Sequence, residues 1–144
     1  MDPGTTPGNQ NAVRVITQPG SYYLTGNITV PAGKSGVVFA ARNVTLDLNG
    51  FTITGQPGSI DGVRVILTAS GELNTFEANI ITHAGIGIAI EGPNNLIVRN
   101  SFRSCGTPFI IATRNVYGPF IMVQNGADLG AVPASAHPAA NIVQ

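Results

Sequence analysis

The sequence has no tryptophan, a single cysteine and only 10% charged residues, where an average soluble domain carries about 25%. Each shortage excludes something. One cysteine, Cys105, cannot form an intrachain disulfide, so cysteine usage fixes no redox compartment. With Arg103 as its only basic neighbour in sequence, Cys105 reads as a small apolar filler rather than an activated thiol. So few charges leave amphipathic helices without the Glu and Lys of their usual wet face, which disfavours a helical bundle. The seven basic and seven acidic residues cancel, and Arg14, Lys34, Arg42, Arg64, Arg99, Arg103 and Arg114 form no run. A nucleic-acid partner, which needs phosphates neutralised by clustered basic residues, is not expected.

Other absences narrow the chemistry. No apolar run reaches the roughly 20 residues of a membrane span, so no span is expected, and the opening MDPGTTPGNQ lacks the basic and apolar regions of a signal peptide. His83 and His137 have no ligand partner at metal-binding spacing; both read as structural or solvent-facing, and no metal or cofactor is expected. GIGIAIEG at 85–92 is followed by no Lys-Ser/Thr and opens no helix, so it is not a phosphate loop. No G-x-S-x-G elbow occurs, which leaves a hydrolase triad unsupported.

What is present is Asn, Thr, Ser and Gly around short β-branched and aromatic runs: VRVIT, YYLTGNITV, GVVFAA, NVTLDLNG, FTITG, GVRVIL, IGIAIEG, NLIVRN and FIIAT. The runs are too short for sandwich strands. Gly36-Val37-Val38, Gly62-Val63-Arg64, Gly85-Ile86-Gly87 and Thr107-Pro108-Phe109 open segments about 22 to 26 residues apart, inside the window of repeat architectures. One such coil cannot bury its apolar side chains alone, but coils stacked at about 4.8 Å make a continuous core. The expected fold is all-β: a single-stranded right-handed parallel β-helix of about five coils with capped ends. Residues 1–12 read as a flexible leader, 13–126 as the β-helix and 127–144 as a C-terminal tail or cap.

Overlaying Asn43–Asp47 on Asn95–Arg99, with Asn74–Glu77 in the same frame, predicts an inward stack of Leu46, Phe76 and Val98, with Phe51 and Phe102 equivalent. Side chains alternate along a strand, so Asp47, Glu77 and Arg99 should form an outer column. Asn49, Asn79 and Asn100 then fall near one corner, where amides can bond their equivalents above and below.

On the residues ITQPGSYYLTGNITV (16–30), VTLDLNGFTITG (44–55), GIGIAIEGPNNLIVRNSF (85–102), NVYGP (115–119) and HPAAN (137–141), the chain resembles uncharacterised bacterial right-handed parallel β-helix repeat proteins of the pectate-lyase-like superfamily, in a short form. The resemblance implies the fold and an extracellular or cell-surface location, and it opens a carbohydrate-active role. A lyase-like site would need clustered carboxylates for Ca²⁺ and a basic residue. The nearest match is the column Asp47, Glu77 and Arg99, with Glu72 and Arg64 nearby, and these are the candidate catalytic residues if the protein is an enzyme. The plainer reading is an exposed ion-pair ladder. Thr45, Thr52 and Thr54 hint at an ice-binding array that later coils, with Glu77, Ile97 and Arg103, are expected to interrupt.

Two functions therefore stand. The first is a non-catalytic structural or interaction module that self-associates, a homo-oligomer with a trimer as leading stoichiometry, because Phe109–Ile111 and Phe120–Val123 alternate too poorly to be buried within one chain. The second is a carbohydrate-binding or carbohydrate-cleaving protein, which would need a groove lined by carboxylates and aromatics.

Overall fold

In a computed structural model, which describes residues 1, 6–66, 72–122 and 138–144, the chain winds as a parallel β-solenoid of about five turns. No helix occurs among the described residues. The first turn holds β1 (Ala12–Ile16), β2 (Gly20–Tyr23) and β3 (Ile28–Val30), and the second β4 (Ser35–Phe39), β5 (Val44–Asp47) and β6 (Thr52–Gly55). The third holds β7 (Asp61–Val65), β8 (Thr75–Glu77) and β9 (Ile80–Thr82), and the fourth β10 (Ile86–Ile90), β11 (Leu96–Val98) and β12 (Ser101–Arg103). The last turn holds β13 (Thr107–Ile111), β14 (Val116–Tyr117) and β15 (Phe120–Met122), followed by β16 (Asn141–Val143).

Three parallel sheets result. The first runs β1-β4-β7-β10-β13 and the second β2-β5-β8-β11-β14; the third runs β3-β6-β9-β12-β16-β15. Arg14, Val37, Val63, Ile88 and Phe109 share one register position, so successive turns take 23, 26, 25 and 21 residues. Right-handed winding is the rule for such parallel crossovers.

The core is three facing columns of branched and aromatic side chains. Ile16, Phe39, Val65 and Ile90 line the first sheet, Leu46, Phe76 and Ile97 the second, and Ile53, Ile81, Phe102 and Val143 the third, all buried. Phe39 and Phe76 meet across the lumen with ring centroids 4.8 Å apart. The lumen is tight enough to demand glycine at fixed places. A Cβ on Gly62 would lie 2.4 Å from Ile81 Cγ2, and one on Gly87 2.6 Å from Phe102 Cδ1. Because Val63 pairs with Ile88, it is Gly87 that repeats Gly62, a shift from the expected Gly85-Ile86-Gly87 alignment.

The register corrects the overlay elsewhere. Leu46 pairs with Phe76 as expected, but Phe76 pairs with Ile97, while Val98 pairs with Glu77 and lies half-buried on the outer side. Phe102 stacks on Ile81 and Ile53, not on Phe51. The slip has a backbone cause. Residues in the left-handed region make most of the corners: Asn43, Leu73, Asn94 and Arg114 before the second sheet, Asn49 with Gly50, Ala78 and Arg99 after it, and His83 and Ser104 after the third. Arg99, at φ 57°, is therefore a corner residue and cannot occupy a strand position equivalent to Asp47.

Two asparagine ladders rivet the corners. Asn79, Asn100 and Asn141 are fully buried; the Asn79 N–H donates to Asn100 Oδ1 at 3.1 Å, and the Asn100 N–H to Asn141 Oδ1 at 3.0 Å. At the opposite corner the N–H groups of Val44, Asn74 and Asn95 donate to the side-chain oxygens of Asn74, Asn95 and Asn115 at 3.0, 3.0 and 2.7 Å. These amides satisfy corner N–H groups that no strand can reach. Asn49, expected in the first ladder, sits exposed at that corner outside it.

Residues 127–137 of the expected tail lie outside the described residues, as do 123–126 of the expected β-helix and 2–5 of the expected leader. Asn141–Val143 form β16, inserted between β12 and β15.

Candidate functional site

The outer face of the second sheet carries the expected column, with its members placed differently. Tyr23 pairs with Asp47 and, through the strand register, the column continues to Glu77 and Val98. Arg99 reaches back from its corner to form an ion pair with Glu77. Asp47, Glu77 and Arg99 do come together, lining a shallow recess of about 270 Å³ with Thr45, Leu46 and Ala78. Asp47 Oδ1 accepts from the Asn49 N–H at 2.7 Å, an Asx turn that fixes its rotamer.

Chemically the recess offers little. The Glu77 and Arg99 side chains are 37% and 54% exposed, so their pair is worth ~0–1 kcal/mol and each cancels the other's charge toward a ligand. Among the described residues no aromatic ring lines it. The expected neighbours are elsewhere. Arg64, on β7, donates from Nε and Nη2 to Glu91 Oε1 at 3.0 and 2.6 Å, and Glu72 Oε2 accepts from Asn94 Nδ2 at 3.3 Å. Among the described residues no group of three or more His, Cys, Asp or Glu is arranged to hold a metal ion.

A second recess, about 520 Å³, lies on the outer face of the first sheet against Val15, Val38, Ser35, Arg64, Asn9 and Asn11. Behind it is a pair that sequence reasoning missed. Ser35 Oγ donates to Asp61 Oδ2 at 2.8 Å, and both residues are buried. Burial pushes the Asp61 carboxyl above its ordinary value, opposed by the Ser35 hydrogen bond and the Arg64 charge. The signal was in the repeat: Asp61 stands two residues before the inward Val63, hence in the inward phase. A third recess, about 460 Å³, is lined by Leu73, Thr75, Asn94, Leu96, Arg114 and Val116 on the second sheet.

The remaining candidates resolve simply. His83 is an exposed corner residue at φ 55°, and His137 lies outside the described residues. Cys105 is half-buried, its thiol pushed up by desolvation, as suits a packing role. Thr54 pairs with Thr82, hydroxyls 3.2 Å apart, and Thr45 with Thr75, so the threonine columns run one turn further than expected. They end where Arg103 pairs with Thr82 and Leu96 with Thr75.

The last turn is the distinctive surface. Inward positions that are closed in the fourth turn are open here: Phe109 over Ile88 and Ile111 over Ile90 are half-buried, and Tyr117 over Ile97 is 55% exposed. Phe120 stacks on Phe109 at 3.7 Å and meets Tyr117 at 5.6 Å. Ile110, Val116 and Met122 are exposed beside them, whereas Ala12, Ile16 and Leu24 in the first turn are buried.

The chain matches no protein-family model, no curated protein and no solved structure. No helix among the described residues is long and apolar enough to cross a membrane.

Proposed function

We propose that the protein is a non-catalytic structural or interaction module that self-associates through the C-terminal end of its solenoid. The observation that carries this is the open last turn, where Phe109 and Ile111 are half-buried and Tyr117 is exposed at positions whose counterparts one turn below, Ile88, Ile90 and Ile97, are buried. Contiguous apolar surface of this kind marks interfaces. Low charge leaves little electrostatic opposition to like copies meeting. A closed ring, with three chains as the leading stoichiometry, covers each end without leaving an edge to propagate. Tyr117→Lys tests the contact. It should lower the native mass to that of a monomer while the β-sheet circular dichroism is kept; an unchanged oligomer mass would remove this end from the interface.

The second reading follows the resemblance to pectate-lyase-like β-helix proteins at the cell surface, with carbohydrate as ligand. The recess holding Asp47, Glu77 and Arg99 together favours it. The internal Glu77–Arg99 pair and the aromatic-free walls weigh against it. Calcium-dependent release of unsaturated uronides from polygalacturonate, lost in Asp47→Ala or Arg99→Ala, would establish it over the first.

A further inference from the structure

The third sheet contains a strand out of winding order. β16 lies between β12 and β15 although it follows both in sequence, so it steps back along the axis to enter a slot that earlier strands leave between them. We propose that this slot is a strand acceptor and that copies of the chain exchange β16, each donating Asn141–Val143 to a neighbour. The proposal rests on the self-association reading and names the element that links the copies.

The slot holds its strand by groups indifferent to which chain supplies it. The Ile142 N–H donates to the Asn100 C=O at 2.8 Å, the Gln144 N–H to the Phe102 C=O at 2.7 Å, and the Asn141 N–H to the Pro119 C=O at 2.7 Å. Arg103 adds two bonds to Gln144 Oε1 at 3.0 and 2.6 Å. It also selects its occupant. Asn141 continues the Asn79–Asn100 ladder, its Oδ1 accepting from both the N–H and Nδ2 of Asn100, and Val143 closes the apolar column over Phe102. An amide followed two residues later by an inward aliphatic is the pattern read, and this chain's own terminus carries it. The fitting partner is therefore a second copy.

Reach and driving force favour a neighbour. Fifteen residues, 123–137, separate Met122 from Pro138, enough chain for about 50 Å at 3.3–3.6 Å per residue, against about 4.8 Å between adjacent strands. Exchange repeats every contact of the closed chain, which makes it a low-cost route to oligomers. In trans it also brings the open last turn, with Phe109, Ile111 and Tyr117, close to another copy, where the exposed Tyr117 can gain cover. Donation from each chain to the next is head-to-tail, which closes as a ring when the rotation between copies closes and otherwise propagates as a filament.

The test places a disulfide across the slot. Ser101 and Ile142 are register partners on adjacent strands, within the Cα spacing a disulfide accepts. Full-length Ser101→Cys/Ile142→Cys chain with Cys105→Ser is weighed by light scattering, oxidised, denatured and run without reductant. Exchange predicts bands at two or more chain masses holding most of the protein. An oligomer by light scattering whose chains then run as internally closed monomers overturns exchange and leaves self-association standing. A monomer mass before oxidation overturns both, and no disulfide at all overturns exchange by removing β16 from beside β12. Excess free peptide of residues 138–144 gives a readout on the unsubstituted chain: it should lower the oligomer's mass, and an unmoved mass contradicts exchange.

Discussion

Replacing Asn100 by alanine isolates the contribution of the buried ladder. The change removes an acceptor that takes the Asn79 N–H at 3.1 Å and Asn79 Nδ2 at 2.9 Å, and a donor to the Phe76 C=O and Asn141 Oδ1, both at 3.0 Å. Asn141 Oδ1 keeps the Asn100 N–H, but the Asn79 N–H, Asn79 Nδ2 and the Phe76 carbonyl lose these bonds inside the core. Among the described residues Asn79 Oδ1 already has no hydrogen-bond partner, so that whole amide would be stranded. Each of these three stranded buried groups costs ~1–3 kcal/mol, and at the lower part of that range the expected loss is about 3–5 kcal/mol. With an m-value near ~2 kcal/mol/M in urea, the midpoint should fall by about 2 M at fixed protein concentration. Asn49→Gly is the control: the residue is exposed at the same corner and outside the ladder, and glycine keeps its left-handed backbone, φ 50°, without strain, so the midpoint should barely move. A loss below ~1 kcal/mol for Asn100→Ala would refute the view that the ladder fixes the corner.

Phe76→Ala, in the inward stack between Leu46 and Ile97, should cost about 3–5 kcal/mol by the same unfolding assay, and a loss under ~1 kcal/mol would mean the stack is not packed. Gly62→Ala should destabilise by ~1–3 kcal/mol because its Cβ meets Ile81; a neutral result contradicts the tight lumen. Asp61 gives a pH dependence whose sign follows from its raised folded-state pKa. Its contribution is complete below the unfolded-state value of about 3.9 and is lost as pH rises through the folded value. Asp61→Asn should thus gain stability relative to wild type toward neutral pH, and urea midpoints with a pH-independent difference would contradict the burial effect. Leu73→Asn, at φ 58°, should be neutral or stabilising by up to about 1 kcal/mol in thermal unfolding, since Asn tolerates the left-handed region better; clear destabilisation would contradict the corner geometry.

The solenoid was legible because its signal is repeated: β-branched runs recur once per turn, and Leu46 and Phe76 fall in register from spacing alone. The slip from Ile97 to Val98 arose at a corner that carries no punctuation. Glycine and asparagine announce left-handed backbone, but Leu73, Ala78, Arg99 and Arg114 adopt it without announcing it, held there by the turns above and below. The site column was only partly legible for the same reason, since Arg99 joins Glu77 from the corner rather than from a strand. Asp61 was hidden by its charge, which reads as surface until the inward phase of Val63 is known. β16 was hidden by its three-residue length and by the distance in sequence to β12.

The mass of the full chain in solution bears most directly on the central claim of a self-associating module. Light scattering at micromolar concentration, on the full chain and on a version ending at Gly130, should give a multiple of 14.8 kDa for the former and a monomer for the latter. A full chain that weighs 14.8 kDa across that range would contradict it.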